Sequence, residues 1–209
     1  MFLLNLKIPD HAYKKLNQAF KTNRRHRKPI QIGQKAIFRT PWFSLQELKF
    51  KTKNLNISPY YRLKTKGGVL IIAITKRKKV ILVKQFRPAI GSWTYETPAG
   101  AIEKNQTPLN AAKRELFEET GYISKQWKNL SEGRLMMDRF SGKIHGWFAV
   151  NCFKRGSSKK NNHLPLMLIS PNKLFKLFIK RQYYQVDALG FLALAILKFP
   201  NFFNEKNEI

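Results

Sequence analysis

Thr107-Pro108 on one side and Gly121 on the other bracket a segment whose spacing predicts a single helix with both ends marked. A threonine hydroxyl before the first turn accepts a hydrogen bond from an otherwise unpaired amide, and proline suits that turn because it has no amide to satisfy. Glycine suits the left-handed exit at the far end. Between these marks Leu109, Ala112 and Leu116, with Ala111, recur at helical spacing and define the face expected to be buried. Upstream the period is different. Gly67-Gly68 opens the β-branched run Val69-Leu70-Ile71-Ile72-Ala73-Ile74, Lys76-Arg77-Lys78-Lys79 makes a charged turn, and Val80-Ile81-Leu82-Val83 returns as the second strand of a hairpin. Trp42 to Lys53 reads as a first strand pair and Gly146 to Phe153 as a further strand. Helices are expected from Ser170-Pro171 to about Gln182 and from Asp187 to about Phe199. Strands with helices interspersed give an α+β fold in which helices pack on both faces of a mixed, twisted sheet, an α/β/α sandwich.

The chain has 209 residues, enough for one well-cored domain with an appendage. We divide it into a basic N-terminal extension (1–35), a main domain (36–200) and a C-terminal tail (201–209). The single cysteine, Cys152, excludes an internal disulfide and points to a reducing compartment, the cytoplasm. Its expected place is that of a small apolar residue in a buried strand. Residues 1–30 hold eight Lys/Arg and one acid but no serine, which disfavours a presequence while leaving the mitochondrial matrix open. Met1-Phe2-Leu3-Leu4 lacks the pattern of a signal peptide, and Leu189 to Leu197 is too short to span a bilayer.

Charge narrows the partners. Forty Lys+Arg against twelve Asp+Glu leave a net charge of +28, which fits a polyanionic partner, either nucleic acid or an anionic membrane surface. Residues 14–28 carry Lys14, Lys15, Lys21, Arg24, Arg25, Arg27 and Lys28 with no acid among them, and we expect RNA to bind there. The acids are concentrated instead. Seven of the twelve fall between residues 96 and 138, and residues 151–185 have none. Glu115 and Glu119 stand one turn apart on the capped helix, Glu118 neighbours both, and Arg114 precedes Glu118 by four. Carboxylates this close repel unless cations sit among them, and magnesium suits such a set because it takes one or two carboxylates with water and phosphate.

The segment G-A-I-E-K-N-Q-T-P-L-N-A-A-K-R-E-L-F-E-E-T-G-Y, residues 100–122, resembles the Nudix signature G-x5-E-x7-R-E-U-x-E-E-x-G-U, with U a bulky aliphatic residue. Gly100, Arg114, Glu115, Leu116, Glu118, Glu119 and Gly121 stand at the required spacing. Val80 to Arg87, Trp93 to Gly100 and Val186-Asp187-Ala188-Leu189 are similar to the ADP-ribose pyrophosphatase branch. The resemblance implies the Nudix fold and magnesium- or manganese-dependent hydrolysis of the diphosphate bridge in ADP-ribose or a related nucleoside-diphosphate sugar. It also implies roles. Glu115, Glu119 and the carbonyl of Ala99 would ligate metal, and Glu118 would be a further ligand or a supporting carboxylate. Arg114 would orient the glutamates, with Glu118, Glu119 and Arg114 forming the catalytic set. Arg87 and Glu96 would lie close to substrate. A homodimer is a further expectation for the chain.

The chain departs from the pattern at Gln106, which replaces the first glutamate, and at Tyr122, which replaces the final aliphatic residue. Many relatives in this branch also place a catalytic glutamate after the strand that matches Gly146–Phe153, where this chain has no acid. A general base would then come from the box, from Asp138 or from Asp187. His11, His26, His145 and His163 form no motif, although His163 falls in that same loop. The alternative reading is an RNA-binding Nudix-fold protein, a ribonucleoprotein component or RNA 5′-end hydrolase whose small-molecule catalysis is weak or lost.

Overall fold

Strand β4 (Gly68–Thr75) is buried on both faces, with Val69 to Ile74 at 0–2% exposure, which is why its sequence is an unbroken apolar run. The computed structural model that shows this describes residues 29–51, 59–156, 165–180, 183 and 185–203. Residues 14–28 and His163, which bear two of the expectations above, lie outside the described residues. The chain divides into two compact units, Met1–Phe38 with Leu45–Arg62, and Arg39–Ser44 with Leu63–Ile209.

The first unit holds most of a three-stranded sheet in the order β1 (Ile30–Arg39), β2 (Phe43–Lys51), β3 (Tyr60–Thr65). Arg62 ties β3 to β2 by donating from Nε to Gln46 Oε1 at 3.0 Å. Two expectations are corrected here. Strand β1 starts inside the stretch read as the basic N-terminal extension, and Phe43–Lys51 is one strand, not a strand pair.

The second unit is the sandwich. Its eight-stranded sheet runs β11 (Leu166–Ile169), β5 (Val80–Arg87), β4, β10 (Ile144–Lys154), β8 (Tyr122–Ile123). Strand β6 (Ser92–Glu96) lies on β5, β7 (Ala99–Ala101) on β4, and β9 (Gln126–Gly133) on β10. Strands β4 and β5 are the expected hairpin, antiparallel through Ile74 and Val80, whereas β10 runs parallel to β4, so the sheet is mixed. At Asn151, φ 53°, β10 shifts register between Ala149 and Cys152. The extra residue turns Cys152 to the same face as Ala149.

Helix α1 (Pro108–Thr120) covers that face, Ala111, Ala112 and Leu116 packing on Val69, Ile71, Ala73 and Ile81. Leu109 is only half-buried. Helices α2 (Pro171–Ile179) and α3 (Val186–Lys198) cover the other face through Leu174, Ala188, Leu192 and Ala195 against Leu70, Ile72, Ile74 and Phe148. Each large apolar side chain fully buried this way contributes about 1.5–3 kcal/mol. Helix α2 stops at Ile179, short of the expected end near Gln182. Phe199, Phe202 and Phe203 pack on the Phe148 ring with centroids 5.3–5.9 Å apart, so the start of the expected tail belongs to the core. Burial pushes the Cys152 thiol up to about 12, as suits a structural cysteine. Among the described residues no helix is long and apolar enough to cross a membrane.

Candidate active site

The caps of α1 fix where its carboxylates stand. Thr107 Oγ1 accepts from Asn110 N at 3.2 Å, Pro108 occupies the first turn, and Gly121 leaves at φ 72° with its amide donating to Phe117 O at 2.8 Å. With both ends set and the Ala111–Leu116 face in the core, Glu115 and Glu119 are carried inward, to 3% and 4% exposure. They meet the short strand β7. Ala99 N donates to Glu119 Oε2 at 3.2 Å, and Gly100 lies so close to Glu115 that a Cβ there would fall 2.1 Å from its carboxylate. Only glycine permits that approach.

Arg114 organises the outer side of the cluster. Its Nη2 reaches Glu115 Oε1 at 2.8 Å and donates to the Ala101 carbonyl at 3.0 Å, while Nη1 donates to Glu118 Oε2 at 2.9 Å. Burial lowers the affinity of this guanidinium for its proton, but the charges of Glu115, Glu118 and Glu103 outweigh burial and raise its pKa above the ordinary arginine value. Gln106 Oε1 sits 3.5 Å from Arg114 Nη2, so the amide at the signature's first glutamate position still offers an oxygen to the arginine. Glu103, outside the signature, stays at the rim, 4.0 Å from Arg114 Nη1 with its side chain 67% exposed.

The second expected pair also forms. Arg87, at the end of β5, grips Glu96, at the end of β6, with two N–H groups, Nε donating to Oε1 at 2.6 Å and Nη2 to Oε2. Thr94 donates to the same carboxylate. Burial pushes the Glu96 carboxyl up, yet the hydrogen bonds from Arg87 and Thr94 and the Arg87 charge prevail and hold it below the usual range. That hydrogen bond from Arg87 in turn raises the Arg87 pKa. Of the two acids outside the box, Asp138 is exposed and Asp187 half-buried. Burial, helped by the Glu96 charge, pushes the Asp187 carboxyl up against the opposing hydrogen bond from Ala188 N. His145 stands beside Glu132 at 3.8 Å, in a surface cluster with Lys143. A cleft of about 360 Å³ borders Gly100 and Ala101, walled by Trp42, Thr65, Phe140 and Lys143.

Sequence reasoning missed Thr94 and the polar chain behind β7, in which Thr97 and Tyr183 both donate to Gln185. Partners 88 residues apart leave no local pattern to read.

The donor set suits a hard divalent cation. Two buried carboxylates face a backbone stripped of Cβ at Gly100, and a third carboxylate is one residue away. Among the described residues no three His, Cys, Asp or Glu side chains converge to hold an ion alone.

Comparison with known proteins places the chain in a family. The ADP-ribose pyrophosphatase of Bacillus subtilis is 45% identical over 64 residues, 31% of this chain and 35% of that protein, so the chain spans about a third of that relative's length. An RNA pyrophosphohydrolase of Bartonella henselae is 31% identical over 129 residues, 54% of this chain and 72% of that protein. A solved structure described as an ADP compounds hydrolase superposes with a TM-score of 0.70 at 18% identity, covering 84% of this chain and 96% of that one, a likeness of fold. A model of the NUDIX domain matches residues 64–171, the stretch that holds the hairpin, the capped helix and the carboxylates, and the chain belongs to the Nudix family.

Proposed function

We propose that this chain is a magnesium-dependent hydrolase that cleaves the diphosphate bridge of ADP-ribose or a related nucleoside-diphosphate sugar, with manganese able to replace magnesium. The observation that carries this reading is the pair of buried glutamates, Glu115 and Glu119, held against Ala99 and Gly100 while Arg114 spans Glu115 and Glu118. In this reading Glu115, Glu119 and the Ala99 carbonyl hold the metal, with Glu118 as a further or supporting ligand. The bound ion supplies neutralisation of charge on the phosphates and a lowered pKa for water. The protein's own groups do the rest. Arg114 keeps the glutamates apart and oriented. Arg87, with its side chain 46% exposed and part of its guanidinium committed to Glu96, offers its remaining donors to a phosphate. The cleft beside Gly100–Ala101 is large enough for part of a nucleotide. Water attacks one phosphorus, the bridging oxygen leaves, and ADP-ribose yields AMP and ribose 5-phosphate. A carboxylate takes the proton, from the box or from Asp187, which is better sheltered than Asp138.

A second reading is favoured by the net charge of +28 and by the relative that acts as an RNA pyrophosphohydrolase, namely that the same site works on RNA 5′ ends or serves an RNA-binding protein. One experiment separates the readings. Purified protein is screened with magnesium, and again with chelator, over nucleoside-diphosphate sugars, dinucleotides and 5′-triphosphate RNA. Magnesium-dependent release of a nucleoside monophosphate from a diphosphate sugar supports the first reading. Release of pyrophosphate from RNA alone supports the second. No turnover anywhere, in folded protein that still binds metal, leaves the binding role.

A further inference from the structure

Gln185, immediately before α3, accepts three hydrogen bonds on one oxygen. Thr97 N donates to Gln185 Oε1 at 2.9 Å, Thr97 Oγ1 at 3.1 Å and Tyr183 Oη at 3.1 Å. Thr97 is 1% exposed and Tyr183 is 3% exposed, so all three donors are on residues shut away from solvent. A buried amide without an acceptor is strongly disfavoured, and Gln185 is the acceptor here. The two residues that follow Thr97 are tied elsewhere. Pro98 O accepts from Ile71 N at 2.9 Å, and Ala99 N donates to Glu119 Oε2 at 3.2 Å. Thr97-Pro98-Ala99 thus hangs from three points, of which α3 provides one, β4 one and α1 one.

We infer that Gln185 is a positioning residue of the metal site: by fixing Thr97, it sets where Ala99 presents its backbone to Glu119 and to the cation. The inference rests on the metal reading proposed above. Gln185 touches neither metal nor substrate; it acts through the backbone of one ligand and the carboxylate of another. Groups one step behind a metal's ligands hold them in register, and replacing such a group typically costs about 10–100-fold in metal affinity or activity. The chemistry requires an acceptor at this position and nothing more, so a carboxylate serves as well as an amide and a thioether of similar length does not.

The test uses the full chain with Mn²⁺ as a paramagnetic probe. Mn²⁺ affinity is read by electron paramagnetic resonance, folding by circular dichroism melts, and kcat and KM are measured on whichever small substrate the screen identifies. Gln185→Met should weaken Mn²⁺ binding by about 10–100-fold and lower kcat by a similar factor while KM changes by less than about fivefold. Gln185→Glu should bring both back to within about threefold of the parent. Thr97→Val, which keeps the amide and the branched shape but removes one donor, should fall between them and covers the case in which Gln185→Met does not fold. Unchanged Mn²⁺ affinity in folded Gln185→Met, or Gln185→Glu as weak as Gln185→Met, overturns the inference. A parent protein that binds Mn²⁺ but turns over nothing removes the proposed function and leaves this inference standing on the affinities. A parent that binds no Mn²⁺ removes both.

Discussion

Gly100→Ala isolates the contact on which the site depends. The added Cβ would lie 2.1 Å from Glu115 Cδ and Oε1 and 2.6 Å from Oε2. Ordinary contact needs about 3.5 Å, so the Glu115 carboxylate has to retreat by roughly an ångström or more. It is 3% exposed and bound to Arg114 at 2.8 Å, and retreat gives up that contact. Forced repacking of this kind costs about 2 kcal/mol, which for a chain this size lowers Tm by roughly 4–8 °C. The functional cost is larger. Misplacing a reacting group by about 1 Å costs on the order of 100-fold in kcat. Gly146→Ala is the control, because a Cβ there would fall 2.2 Å from the Phe191 ring, an equal clash against an apolar neighbour. Both variants should lose similar thermal stability in calorimetry, but at 25 °C, well below either midpoint, only Gly100→Ala should lose activity. If Gly100→Ala kept kcat within about threefold while its Tm fell, Glu115 would not need its present position and the role given to it would be wrong.

Other expectations are shorter. Glu115→Gln and Glu119→Gln should each lower kcat by about 100-fold or more, whereas Glu103→Gln, at the exposed rim, should change it by less than about fivefold; steady-state assays decide, and a Glu103 effect as large as that of Glu119 would refute the assignment. Glu96 titrates below the usual carboxylate range, so the stability it gives is present above the ordinary glutamate pKa and is lost as pH falls through its lowered value. Arg87→Met should remove most of that benefit, lowering Tm at pH 7 and flattening the fall in Tm as pH drops below the ordinary glutamate pKa; an unchanged pH dependence there would show the pair to be energetically idle. Deleting residues 1–28 should leave small-substrate hydrolysis intact while flattening the salt dependence of single-stranded RNA binding, whose log–log slope is near −0.7 for each phosphate contacted. A slope untouched by the deletion would place RNA binding elsewhere.

What the sequence made legible was local. The α1 caps, the β4–β5 hairpin and the parallel-buried run of β4 all follow from side chains acting on their own or neighbouring backbone, and the structure has them where the residues put them. The edge strand β11 was not legible. It spans four residues, two of them exposed, too few to display a period. Strand β1 was hidden for a related reason, since eight of its ten residues are exposed and a period of two shows only where one face is buried. Phe202 and Phe203 looked like a tail because nothing nearby in sequence explains them, and their partner, Phe148, is some fifty residues upstream.

The same division runs through the site. The helix side of it, Arg114 to Glu119, is a single stretch of one element, and fixed spacing makes it readable. The strand side is not, because it is assembled from separate parts of the chain. Glu96 is held by Arg87 nine residues before it, and Thr97 by Gln185 eighty-eight after it. Between the two sides stands Gly100, where the missing Cβ lets backbone and carboxylate meet. A signature can fix that glycine and the glutamates. It cannot show that the loop they depend on is hung from α3, and for that reason substitutions at Gln185 test the site from a direction that the signature leaves open.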